Sequence, residues 1–539
     1  MALAACKLPV QSSPRPRSGE MPSEYASRLA AQFSGEMLLE PRRELAQFFT
    51  PLEVARFMAE LARPSRSVRR LLDPGAGTGV LACALCEALP AGSSPVHLDA
   101  FEVDPALGGI CNTTLAYTKR WLAEHGVAFT FTVHQADFVT EHASSLKPGL
   151  FDSPAIGKYD IAISNPPYFK LQKLDRRAVA AAAIVHGQPN IYALFMAITA
   201  SLLAENGVMV TITPRSFAAG DYFRSFRQHL FATALPESVH VFHSRKEAFR
   251  KDEVLQENVI LRLRRKRLLP SATVAVSTSV GATDLEHRTI RKVALVSVVD
   301  PGSRDVVFSI PADETDDAVI RFVRGWPCTL HSLGLEVSTG PVVAFRARKL
   351  LLHEPGREKH IAPLLWLQNV KRMAIQWPIP LSSKPQYIVD NGESQPLLVR
   401  NTTCVVLRRF TAKEEHRRLT AAPLIGGELP GPAIGLENHL NYVYRPQGEV
   451  DRDEVIGLAA LLGSALMDRY FRVSNGNTQV NATELRTLPL PPRLSLLMLG
   501  AEIRRQPVGL NEVDEVVAKL LHIPRALLKM MRVEGNGQG

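Results

Sequence analysis

From about position 38 to 265, short apolar runs alternate with stretches whose apolar residues recur every three to four positions. The runs cover 70–73, 97–102, 129–134, 159–164, 207–212, 238–242 and 258–263. Their length and bounding turn residues predict strands. Amphipathic stretches at 54–61, 191–203 and 222–230 predict helices between them. Strands alternating with helices imply an open α/β sheet. The basic string Arg262-Leu-Arg-Arg-Lys-Arg267 reads as the end of this domain, bounded at 38–267, and the start of a linker. Beyond it, 275–500 carries more Pro, Thr and Val in short irregular strands, with a helical stretch at 455–469, which predicts a second domain of α+β type. A tail at 501–539 reads as two short helices broken at Pro524. The first 37 residues, rich in Ser, Pro and Arg, read as a flexible extension.

Composition narrows the class. The chain has 539 residues, 46% of them hydrophobic and 22% charged, which excludes wholesale disorder. Lys and Arg exceed Asp and Glu by ten, a balance compatible with a polyanionic partner. Six cysteines in so long a chain are not a disulfide framework. Cys83 and Cys86 have no second pair to complete a zinc site and read as two small residues on one helix. No apolar run approaches the 18 or more residues of a membrane span, and the N-terminal apolar stretch is too short for a signal peptide. A reduced, cytoplasmic protein is expected.

Three motifs carry chemistry. Leu71-Leu-Asp-Pro-Gly-Ala-Gly-Thr-Gly79 ends a predicted strand in a Gly-rich turn, where a nucleoside-bearing ligand can approach the backbone beside a helix N-terminus. It lacks the spacing of the dinucleotide fingerprint and the Gly-Lys-Ser/Thr ending of the phosphate-binding loop. Phe101-Glu-Val-Asp-Pro105 follows the next strand and places Glu102 where a carboxylate can accept from both hydroxyls of a ribose. Ser164-Asn-Pro-Pro-Tyr168 follows a later strand. The prolines fix the backbone and remove donors, leaving the Asn165 side-chain oxygen and a carbonyl facing the site. The exocyclic amine of a nucleobase is a poor nucleophile because its lone pair is conjugated into the ring. Two acceptors that bind its hydrogens favour the tetrahedral nitrogen that can attack a methyl group. Tyr168 offers a flat face for the base.

These motifs resemble the S-adenosylmethionine-dependent N6-adenine DNA methyltransferases of restriction–modification systems. The gamma motif order fits, with Gln47-Phe-Phe-Thr-Pro51 preceding the Gly-rich turn. The wider string from Arg42 to Met58 is similar to the PstI/BsuBI type. The resemblance implies a Rossmann-like class I methyltransferase domain followed by a target-recognition domain. It implies that Phe49, Thr50, Asp73, Gly75, Ala76, Gly77 and Gly79 line the cofactor S-adenosylmethionine, with Thr50 on the methionine carboxylate. Glu102 would hold the ribose and Val103 would flank the cofactor adenine. Asp137 would accept from the adenine's amino group while Phe138 packs on its ring. Asn165, Pro166 and Pro167 would bind the target amino group and Tyr168 would stack on the base. A second aromatic is expected at Phe249, with Phe242 as its competitor. The long gap from Asp137 to Asn165 departs from the family pattern and weighs on Asp137.

Buried in a duplex, the target atom requires base flipping. No metal is required. In the second half, Phe345-Arg-Ala-Arg-Lys349, Gln368-Asn-Val-Lys-Arg372, Arg400-Asn-Thr-Thr403, Arg408-Arg409 and Asn475-Gly-Asn-Thr-Gln-Val-Asn481 interleave cations and amides suited to phosphates and base edges. The expected partners are double-stranded DNA and a separately encoded restriction endonuclease. Two rivals are weighed: an RNA or protein-glutamine methyltransferase using the same Asn-Pro-Pro-Tyr chemistry, which would not be expected to place Gln-Phe-Phe-Thr-Pro before the Gly-rich turn, and a catalytically silent DNA-binding subunit, which would have lost one of Asn165, Pro166, Tyr168 or the glycines, all of which are present.

Overall fold

The computed structural model describes residues 14–36, 49–146, 158–185, 189–242, 258–265, 272–303, 305–355, 360–380, 382–411, 415, 417–475, 479–505 and 509–535. The chain forms two compact units, Met1–Phe217 with Tyr222–Val306, and Ala218–Asp221 with Val307–Gly539.

The first unit is built on nine strands: β1 (Arg70–Asp73), β2 (Val96–Phe101), β3 (Phe129–His134), β4 (Tyr159–Ser164), β5 (Leu203–Pro214), β6 (Leu235–Phe242), β7 (Asn258–Arg264), β8 (Thr273–Ser279) and β9 (Thr289–Ala294). Their order is β3-β2-β1-β4-β5-β7-β6-β8-β9. Strands β3, β2, β1, β4 and β5 are mutually parallel, and β7 runs antiparallel between β5 and β6. All seven apolar runs therefore become strands of one sheet. The helices are α1 (Pro22–Glu36), α2 (Leu52–Ala62), α3 (Val80–Glu87), α4 (Pro105–Glu124), α5 (Phe138–His142), α6 (Arg176–Ala180), α7 (Ile191–Leu202), α8 (Arg224–Thr233) and the single turn α9 (Leu295–Val298). Val54, Met58, Leu81, Leu85 and Leu115 from α2, α3 and α4 pack on one face of the sheet against Leu71, Ile163, Val210 and Ile260. Helix α7, nearly all of it buried, packs against β5 and α8.

Two expected boundaries move. The extension is not loose throughout: α1 buries Ala26 and Ala30 in the same core, and the Ser23 amide and hydroxyl donate to Glu87 at 2.6 and 2.8 Å. Its Ser, Pro and Arg content hid a short apolar stripe. The sheet also passes the expected end at 267. β8 pairs in parallel with β6, burying Val274 and Val276, and β9 adds antiparallel to β8. Without them β6 would be an open edge, which proteins avoid.

The second unit contains a four-stranded antiparallel sheet, ordered Glu336–Thr339, Leu440–Tyr444, Cys404–Arg408, Ala421–Leu424, and a five-stranded mixed sheet. The expected helix at 455–469 is two, Arg452–Leu462 and Ala465–Ser474, because Gly463 closes the first and Ser464 Oγ caps the second through the Met467 amide. The expected tail is no separate segment. Helices Arg493–Arg505, Leu510–Leu520 and Arg525–Gly535 contribute Leu496, Leu499, Val513, Val517 and Leu527 to the core that holds Leu458 and Leu461. Among the described residues no helix is long and apolar enough to cross a membrane, and no three His, Cys, Asp or Glu residues group as a metal site.

Candidate active site

The chain order reverses at β1, whose neighbours β2 and β4 continue the sheet in opposite directions. Crevices at such switch points, beyond the carboxyl ends of parallel strands, are where open α/β sheets bind ligands. The Gly-rich turn leaves β1 and Asn-Pro-Pro-Tyr leaves β4. Leu72 pairs with Ala162, so both motifs begin within three residues of the same rung.

The turn is held shut by backbone bonds, Ala76 N–H to Phe101 O at 2.9 Å and Gly79 N–H to Ala76 O at 2.8 Å. Gly79 has φ +87°, and a Cβ there would stand 2.8 Å from Thr114 Oγ1, so a side chain is excluded twice over. Gly79 opens α3 without a side-chain cap. Glu102 lies across the turn: Oε2 accepts from the Gly77 amide and Oε1 from the Asp104 amide, both at 2.9 Å. Each oxygen keeps a second lone pair. Burial raises the Glu102 pKa, partly offset by those two amides. Asp73, fully buried at the strand end, has neither carboxylate oxygen in a hydrogen bond. Burial, reinforced by the charge of Glu102, pushes its pKa up to about 7, although the Gly75 and Ala82 amides face it closely enough to oppose the rise. An orphaned carboxylate, a glycine turn open to close approach and a strand-end Glu fit a ligand with a positive charge and a ribose. S-adenosylmethionine is such a ligand.

Residues far apart in sequence complete the site. Asn165 Nδ2 donates to Thr50 Oγ1 at 3.0 Å across 115 positions, and Asn165 Oδ1 accepts from the Tyr168 hydroxyl at 2.7 Å. The same hydroxyl lies 3.0 Å from Ile212 O. Burial and the neighbouring Tyr192 ring, edge-on at 6.2 Å, push the Tyr168 pKa upward, so it stays a donor. Pro166 is buried and Pro167 half-buried. Phe49 stands 3.8 Å from where a Cβ of Gly77 would lie, and Phe195 3.5 Å from that of Gly75. Phe195 went unnoticed in the sequence because α7 is apolar on every side, leaving no contrast to mark it.

Other expected residues divide. Val103 is 60% exposed beside Glu102. Asp137 caps α5, accepting from the Thr140 amide at 3.0 Å, and lies 3.8 Å from Arg177. Phe138 is 1% exposed, its ring packed 5.4 Å from Phe101 and 5.3 Å from Phe195, so it supports the site from beneath and offers a ligand no open face. Phe242 is a core residue, 4% exposed and edge-on to His240. Phe249, Gln47 and Phe48 lie outside the described residues.

In the second unit, Arg372 pairs with Asp514, Arg408 donates to Val370 O, and Arg409 donates to Asn438 O. Asn475 and Asn481 both bond Glu484, capping Ala482–Arg486. These groups hold the fold. By contrast Phe345 is 77% exposed under the Arg346 guanidinium, with Arg348 and Lys349 exposed beside it.

The strand order, with one antiparallel strand between β5 and β6, and a glycine turn at the β1–β4 switch point define a Rossmann-like class I S-adenosylmethionine-dependent methyltransferase fold. Residues 125–249 match the Eco57I restriction-modification methylase family. The chain is 33% identical over 483 residues to the type II methyltransferase M.PstI of Providencia stuartii, covering 89% of this chain and 94% of that protein. It is 34% identical over 497 residues to the type II methyltransferase M.BsuBI of Bacillus subtilis, covering 90% and 95%. Among solved structures, the type IIG restriction endonuclease BpuSI matches with a TM-score of 0.42 at 13% identity, covering 95% of this chain and 66% of that one. The chain belongs to the family of type II restriction–modification methyltransferases, which methylate DNA with S-adenosylmethionine as methyl donor.

Proposed function

We propose that the chain methylates the N6 amino group of adenine in double-stranded DNA, with the adenine turned out of the helix. The observation that carries the reading is the Thr50–Asn165–Tyr168 hydrogen-bond chain, which joins the two motifs beside the Gly-rich turn. Thr50 and Tyr168 hold the Asn165 amide in place, and its oxygen is the acceptor for an amino hydrogen of the target. The Pro166 carbonyl is the second acceptor. Together they hold the amine as its nitrogen becomes tetrahedral, an electrostatic contribution made where charge develops. The amine's surplus proton passes to solvent after attack. Tyr168 holds the base by its ring face. Glu102 receives the cofactor ribose, Asp73 faces its positive charge, and Thr50, whose oxygen accepts from Asn165, keeps its own hydrogen for the methionine carboxylate. Phe49, Phe195, Gly75, Ala76, Gly77 and Val103 form the walls. When bound, the cofactor supplies an electrophilic methyl group on a sulfonium.

The second unit reads the DNA sequence, and Phe345, Arg346, Arg348 and Lys349 are its exposed candidates for contact. The modification protects cytoplasmic DNA from a separate restriction endonuclease. Nucleoside mass spectrometry of DNA from expressing cells tests the base: N6-methyladenine is expected, and N4-methylcytosine alone would overturn the assignment. Asn165→Ala should abolish methylation while cofactor affinity stays within tenfold. A variant keeping more than a tenth of wild-type turnover would remove Asn165 from the role.

A further inference from the structure

The segment that leaves Tyr168 is pinned at both ends. Leu171 is 2% exposed and its amide donates to Pro189 O at 2.8 Å, while the Ile191 amide donates to Phe169 O at 2.9 Å. The Asp175 amide closes a turn onto Gln172 O at 3.0 Å, and Asp175 then caps α6 through the Arg177 amide at 2.9 Å. The Arg177 guanidinium bonds the Asp175 carboxylate at 2.7 Å and lies over the Phe169 ring. A turn so held presents Leu174 to water at 89% exposure, more than any other large hydrophobic residue among those described. A single exposed leucine is unremarkable alone. This one stands at the tip of an ordered turn, six residues past Tyr168 and so within about 20 Å of it even at full extension. Lys170, Lys173 and Arg176 around it are all exposed. An apolar tip ringed by cations suits a polyanion with apolar layers inside it.

We propose that Leu174 is a wedge that enters the base stack as the target adenine leaves, while Lys170, Lys173 and Arg176 hold neighbouring phosphates. The inference rests on the flipped-adenine reading above. Unstacking a base is costly, and apolar side chains inserted at a base step restore contact to the faces left bare. Because Leu174 is so exposed, its truncation removes no packing from the folded protein.

The test compares single-turnover methylation by wild type and Leu174→Ala on two duplexes carrying the chain's own site, one fully paired and one abasic opposite the target adenine. The abasic duplex has lost the pairing that a wedge must help break. Leu174→Ala should be at least tenfold slower on the paired duplex and within threefold of wild type on the abasic one, with cofactor affinity unchanged. Equal rates on the paired duplex, or the same defect on both, would overturn the wedge. 2-Aminopurine at the target position separates this from the underlying reading. If its emission rises with wild type and the variant is equally fast, only the wedge fails; if it never rises with wild type, flipping and wedge fall together. Lys173→Ala should lower the salt dependence of binding by about one counterion without changing the paired-to-abasic rate ratio. An unchanged salt slope would remove the cations from the proposal.

Discussion

Replacing Asp73 by asparagine should make the cofactor-free protein more stable at pH 8 and leave it nearly unchanged at pH 4. Asp73 is fully buried and neither oxygen is hydrogen-bonded, and its pKa is raised from 3.8 to about 7, chiefly by burial. Between those values the folded protein holds a proton that the unfolded chain has released. Stability therefore falls as pH rises from about 4 to 7, and the full deficit stands above 7. At 1.36 kcal/mol per pH unit, the difference between 3.8 and about 7 corresponds to about 4 kcal/mol. An amide of the same shape carries no charge at any of these pH values. Asp73→Asn should gain about 2–4 kcal/mol over wild type at pH 8 and less than about 1 kcal/mol at pH 4. Calorimetric melting of both proteins at the two pH values measures this. Cofactor binding supplies the reverse signature. A positive charge beside Asp73 draws its pKa down, so wild type should release a proton on binding near pH 6.5, seen as a dependence of binding enthalpy on buffer ionisation, and the variant should not. If Asp73→Asn is equally or less stable at pH 8, the carboxylate is satisfied as an anion and the desolvation reasoning is wrong.

Glu102→Ala should weaken S-adenosylmethionine binding by about 1.5–3 kcal/mol through lost charge-assisted bonds; an unchanged affinity by titration calorimetry would mean that the ribose is held elsewhere. Gly79→Ala combines a left-handed φ with a contact on Thr114, whose hydroxyl is committed to Thr78 O at 2.9 Å. It should lose about 2–4 kcal/mol, and an unaltered melting temperature would show that the turn relaxes freely. Phe242→Ala should cost about 3–5 kcal/mol as a core truncation while leaving 2-aminopurine emission in the DNA complex as in wild type. An emission change without destabilisation would return Phe242 to the base.

The pieces of the candidate site were legible because their signals are local. A strand ending in glycines, a carboxylate after the next strand, and Asn-Pro-Pro-Tyr after another each occupy fewer than ten consecutive residues, and their backbone needs restrict which residues can stand there. The seven runs became strands for the same reason, since alternation and turn chemistry act over a few residues. The C-terminal half was less legible: its cations look alike in sequence, whereas Arg372, Arg408 and Arg409 hold the fold and Arg346, Arg348 and Lys349 face water.

The sequence by itself determined the fold class, the cofactor and the segments that meet at the switch point. Tertiary structure alone decided what each side chain touches. It gave the Asn165 nitrogen to Thr50 and its oxygen to Tyr168, sank Phe138 and Phe242 into the core, put Phe195 beside Gly75, and carried the sheet on through β8 and β9. The physical reason is range. Propensity and turn geometry are settled by neighbours in the chain, but burial, desolvation and hydrogen-bond partnership are settled by residues that sequence separates by tens or hundreds of positions.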